Sequence, residues 1–213
     1  MSRWFTSLAA VVLAVGLGGG GASAASFSFS GTFANDDDVR LFDLTVGDLS
    51  TVTLRTSSYA GGTQADGTVV AAGGFDPMIA VFDATGLLLA QIDDGPAGSV
   101  PVDPVSSGAF DALLTLQLAA GAYTVAVMQY DNAAKGPNLS DGFAQAGLPF
   151  FTAKYLCAAG QFCDPLGFNR SNAFALDVAV EKQTPIPLPG ALPLLLSGLA
   201  GLGVLGWRRR RSN

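Results

Sequence analysis

The chain has 213 residues, no histidine, 17 acidic and 11 basic side chains, and a net charge of −6. The missing imidazole excludes Ser–His–Asp triads, Cys–His dyads and most zinc sites. All the acid falls between residues 25 and 184, against six basic side chains there, so that stretch carries −11 and argues against a nucleic-acid partner.

At the N-terminus, Arg3 precedes the apolar run Leu8–Leu17 and the small-residue stretch Ala22-Ser23-Ala24. That order predicts a signal helix over residues 1–24, with cleavage set by Ala22 and Ala24. Residues 25–184 then form one exported domain, long enough for a real core. Ser26–Phe33 alternates apolar and polar residues with period two, which predicts a strand. Strands are also predicted at Val39–Val46, Ser50–Thr56, Met78–Asp83, Leu87–Ile92, Ala112–Leu118 and Ala122–Tyr130. A last one carries Phe174, Leu176, Val178 and Val180. Asp83-Ala-Thr-Gly86 suits a tight hairpin. No amphipathic helical stretch of useful length interrupts them. The expectation is an all-β fold, an antiparallel β-sandwich of jelly-roll type with about eight or nine strands.

Three longer stretches, Ser58–Gly74, Gly95–Gly108 and Ala133–Gly147, are rich in Gly, Pro, Ser or Asn and read as loops. Cys157 and Cys163 lie six apart in a further loop, and export predicts a disulfide between them. Sixteen of the 17 acidic residues are Asp, which serves turns and oxygen-ligand sites alike. Two readings stand side by side. Asp36, Asp38, Asp93, Asp94 and Asp131 are solvated turn residues, or they gather at one end of the domain and bind calcium, the one cofactor such oxygens suit. No catalytic residue is assigned. The aromatics Tyr59, Tyr130 and Phe143 near these loops would serve a carbohydrate- or surface-binding module if they are exposed.

The C-terminal stretch has three parts. Pro185, Pro187 and Pro189 punctuate it, Leu188–Trp207 runs 20 residues without an ionisable side chain, and Arg208, Arg209, Arg210 and Arg211 close it. Twenty apolar residues match the length of a membrane-spanning helix, and the arginines predict a cytoplasmic end. The arrangement resembles the PEP-CTERM sorting tail of exosortase substrates in Gram-negative bacteria, over residues 185–213. It departs from that pattern at Leu188, where the family has Glu between the prolines. The resemblance implies an exosortase partner, transient anchoring in the inner membrane, cleavage near the proline motif, and delivery to the cell surface or the extracellular matrix of a biofilm.

The core carries its own resemblance. Asn35-Asp-Asp-Asp-Val39, Gly73-Gly-Phe-Asp-Pro77, Phe82-Asp83, Asp93-Asp-Gly95, Gly121-Ala-Tyr-Thr124 and Gln129-Tyr-Asp-Asn132 resemble a small family of secreted bacterial domains that share this tail. They resemble, more loosely, the pre-peptidase C-terminal sandwich. The latter resemblance implies a non-catalytic β-sandwich. The expected function is therefore that of an exported surface or matrix protein, in contact with exopolysaccharide. The alternative is a calcium-dependent carbohydrate- or surface-binding module.

Overall fold

A computed structural model describes residues 24–183. The predicted signal segment up to Ser23, with Ala22, and the whole sorting tail, with its three prolines and four arginines, lie outside the described residues.

The described chain is all-β and antiparallel. Its strands are β1 (Ala24–Thr32), β2 (Val39–Val46), β3 (Ser50–Thr56), β4 (Gly62–Thr63), β5 (Val69–Val70), β6 (Pro77–Asp83), β7 (Leu88–Ile92), β8 (Leu113–Leu118), β9 (Gly121–Gln129) and β10 (Ala173–Lys182). One four-stranded sheet has the order β1-β10-β3-β8 and a second the order β2-β9-β6-β7. Strands β4 and β5 pair as a two-residue ladder inside the stretch expected to be loop, which raises the count to ten. They are too short for alternation to reveal. Among the described residues the only helical segments are two short 3-10 turns, and no helix is long and apolar enough to cross a membrane.

The two sheets share one core. Val52, Leu54, Leu176 and Val178 from the first meet Ile79, Val81, Val125 and Val127 from the second, with Phe33, Phe75 and Phe174 among them. Strand β3 shows the expected pattern, with alternate residues buried. Strand β6 does not, because six of its seven residues are buried. Its outer face carries Met78, Ala80 and Phe82, and these pack under Ala133, Ala134, Leu139 and Phe143 of the loop after β9. That loop is a lid over a second small core. Burying a side chain such as Phe82 contributes about 2 kcal/mol, which is why β6 reads as a continuous apolar run.

The connections sort the domain into two ends. Ala24 stands opposite Glu181, so β1 starts where β10 finishes. The links from β2 to β3, from β8 to β9 and through Asp83–Leu87 lie at that same end. At the hairpin, Asp83 Oδ1 accepts from the Thr85 and Leu87 amides, at 2.8 and 3.0 Å. All the longer loops leave and rejoin the sheets at the opposite end, beyond Thr32↔Ala173 and Pro77↔Gln129, and the one after β9 folds back along β6 as far as Gly86–Leu88. There Cys157 and Cys163 form the expected disulfide, with Cα atoms 5.5 Å apart.

Candidate cation site at the loop end

Most acidic side chains of the loop end are held by donors of the chain itself. Asp36, fully buried, accepts from the Phe150 amide at 2.7 Å and the Thr152 amide at 3.0 Å. It also accepts from the Thr152 hydroxyl. Asp38 turns back to the Ala34 and Asn35 amides, at 2.7 and 3.0 Å. Asp111 takes Thr56 Oγ1 at 2.9 Å, the Tyr59 amide at 3.1 Å and the Ala60 amide at 2.9 Å. Asp164 accepts from the Leu166 and Phe168 amides and from Arg170 Nε at 2.8 Å. Asp131 pairs with Lys154. These carboxylates fix loops, because many of the donors they satisfy are backbone amides that would otherwise be stranded.

Three carboxylates are different. Asp76, Asp93 and Asp94 each place an oxygen within 4.8 Å of the others. The Oδ1 of each is shielded from solvent and accepts no hydrogen bond among the described residues. The fold brings them together simply. Strands β6 and β7 are antiparallel, with Ile79 opposite Ile92. The residue before β6, Asp76, therefore lies beside the residues after β7, Asp93 and Asp94. Strand β9 flanks the other side, where the Tyr130 amide donates to the Asp76 carbonyl at 2.8 Å. Gln129, directly across from Pro77, is fully buried with neither amide atom partnered.

The electrostatics follow from burial and like charge. Asp76 is 2% exposed. Burial first, then Asp93 and Asp94, pushes its carboxyl well above the usual carboxylate range. Burial, then Asp94 and Asp131, lifts Asp93 to about 7. Asp94 is raised by burial and by Asp111. Tyr130 is raised by burial and then by Asp93, Asp131, Asp76 and Asp94, which places its phenol in the same negative field.

The five aspartates expected to share a cation therefore divide. Asp93 and Asp94 belong to one cluster. Asp36, Asp38 and Asp131 do not belong to that cluster, because backbone amides, a hydroxyl and a lysine already occupy them. Sequence reasoning missed Asp76, although it lies in the Gly73–Pro77 block; a Pro at the next position fixes the strand start but says nothing of the carboxylate's partners. Of the three aromatics, Tyr59 is fully buried, with its hydroxyl donating to Asp164 at 2.7 Å. Tyr130 and Phe143 are half-buried. Phe150, Leu156 and Phe168 are among the exposed apolar residues of this end, at 56%, 88% and 37%, with Val102, Val105, Leu148 and Leu166. The opposite end holds a cavity of about 540 Å³ lined by Asp43, Thr45, Asp83, Thr85, Tyr123 and Thr124 among others. None of the predicted site residues lines it.

No family model and no curated protein matches the sequence. Among solved structures the chain is similar to PliG of Aeromonas hydrophila, a periplasmic inhibitor of g-type lysozyme. The identity is 15%, over 76% of this chain and 89% of that one, with a TM-score of 0.27.

Proposed function

We propose that this chain is an exported, non-catalytic protein of the cell surface or extracellular matrix. It is anchored first in the inner membrane by Leu188–Trp207 and then sorted and cleaved by an exosortase through residues 185–213. Its core is a jelly-roll-like β-sandwich, and exopolysaccharide is the polymer around it. One observation carries the reading: Ala24 pairs opposite Glu181. Both apolar segments of the sequence therefore join the domain at one end, while every long loop leaves and rejoins the sheets at the other. A domain built this way stands on a membrane by one end and presents its loops outward. One oxygen of each of Asp76, Asp93 and Asp94 is shielded from solvent, which suits an enclosed ion better than a substrate that must reach it.

A second reading, a calcium-dependent carbohydrate- or surface-binding module, draws on Phe150, Leu156 and Phe168, which are exposed at the same end as the acidic cluster. Large apolar residues held in solvent beside a charged site are suited to contact with another surface.

The test is topology. Epitope-tagged full chain is expressed in a Gram-negative host, and protease is added to spheroplasts. The reading expects the core in the membrane fraction and digested from outside. A core that stays protected until the inner membrane is lysed would overturn it.

A further inference from the structure

We propose that Asp76, Asp93 and Asp94 form a calcium-binding site that ties the start of β6 to the end of β7. The site does not depend on how the chain is sorted.

The acidic residues of the loop end fall into two contrasting groups. Asp36, Asp111 and Asp164 are buried, and the chain supplies each with two or more donors. Asp103 keeps one bare oxygen, yet its other oxygen meets Arg170 at 3.2 Å and the Ser106 amide at 2.8 Å. The fold thus supplies donors to carboxylates that it buries for structure. It supplies none to the Oδ1 atoms of the cluster, and each of the three carboxylates places an oxygen within 4.8 Å of the other two. A buried unpaired carboxylate such as Asp76 is costly, and the half-buried Asp93 and more open Asp94 beside it add repulsion. Among the described residues the buried cation of this end, Arg170, is already committed to Asp103 and Asp164. Either protons or a cation must balance the cluster.

Geometry and donor type choose the cation. Two oxygens bound to one calcium at about 2.3–2.6 Å each can stand at most about 5 Å apart. The three oxygens here meet that limit. All the donors are hard oxygens, with no thiolate or imidazole, which suits calcium and not zinc or copper. Three carboxylates supply part of a shell of six to eight, and backbone carbonyls or water complete it. Magnesium binds less well, because it demands a smaller octahedral shell and gives up water reluctantly. Asp76 is the inner ligand: at 2% exposure it has no access to bulk water as an alternative partner. The ion would fasten the Gly73–Pro77 segment to the Asp93–Gly95 turn.

The test uses full chain purified in detergent and stripped of metal on a chelating resin. Calcium chloride alone is titrated in by calorimetry at neutral pH, with ionic strength held by sodium chloride. Magnesium chloride runs in parallel. The expected result is one calcium per chain, with magnesium weaker. Asp76→Asn, Asp93→Asn and Asp94→Asn should each weaken calcium by about tenfold or more, because affinity follows ligand charge. Circular dichroism checks that each variant is folded, and the three variants are independent of one another. Asp48→Asn, at the other end beside Lys182, should leave the affinity unchanged. No heat in the native chain would show that protons alone balance the cluster and would overturn the proposal. Binding that survives all three substitutions would overturn it equally, since the ion would lie elsewhere.

Discussion

Asp76 and Asp93 lie on adjacent strand ends with carboxylate oxygens within 4.8 Å of each other, and the Oδ1 of each is buried without a partner among the described residues. One residue precedes β6 and the other follows β7, so the antiparallel register alone sets their approach. The pair concentrates negative charge where the longest loops meet. That arrangement is stable only when something positive sits between them, and it therefore makes loop order responsive to what the surroundings supply.

The first prediction is a pH dependence of the metal-free protein. Asp93 stands at about 7 in the fold, above the ordinary value of about 3.9. Between those values the folded protein holds more protons than the unfolded chain. Its contribution is fully present below about pH 4 and is lost as pH rises through about 7. Asp76 and Asp94 are raised too and act in the same direction. The urea midpoint of metal-stripped chain should fall from mildly acid to neutral pH. Saturating calcium should flatten the profile, since the ion takes the place of the protons. A midpoint that rises with pH in the stripped protein would contradict this account.

The second prediction concerns the buried cation. Arg170 Nε donates to Asp164 at 2.8 Å, Arg170 Nη2 meets Asp103 at 3.2 Å, and the guanidinium lies 3.8 Å from the centre of the Tyr59 ring. These side chains are at most 2% exposed in the two ion pairs. Arg170→Met would leave two buried carboxylates without their cation, at a cost of about 3–5 kcal/mol. Arg170→Lys should recover little, because a point charge cannot serve both carboxylates and stack on the ring. Denaturant unfolding measures both. Adding Asp164→Asn to Arg170→Met should cost less than the sum of the single changes, since the two residues share one interaction.

How much of this was legible in the sequence depends on the element. The long strands were, because Ser50–Thr56 alternates buried with half-buried residues and Phe174, Leu176 and Val178 share the core face. The pair β4 and β5 was not, since two residues carry no period. The lid over β6 was hidden as well: Leu139 and Phe143 lie among Gly, Pro and Asn, and only tertiary packing shows that they cover Met78 and Phe82. The disulfide followed from two cysteines in one loop of a chain read as exported. The cation site was half legible. Asp93-Asp94-Gly95 stands out as an acidic turn. However, what separates Asp36 from Asp76 is the presence of amide donors from residues more than a hundred positions away in one case, and their absence in the other. Composition cannot carry that distinction.

The most direct measurement is the melting temperature of Asp93→Asn beside the native chain, each in detergent, metal-stripped and then in millimolar calcium. Calcium that binds only the folded state stabilises it by about 2.7 kcal/mol at a hundredfold excess over Kd, a shift of several degrees for a domain of this size. The account predicts that native chain gains this shift in calcium and not in matched sodium chloride. It predicts that Asp93→Asn melts higher than native chain when both are stripped, because a repelling charge is gone, and that calcium then adds little. An Asp93→Asn chain that melts lower than native when stripped, or that gains the full calcium shift, would contradict the cation site.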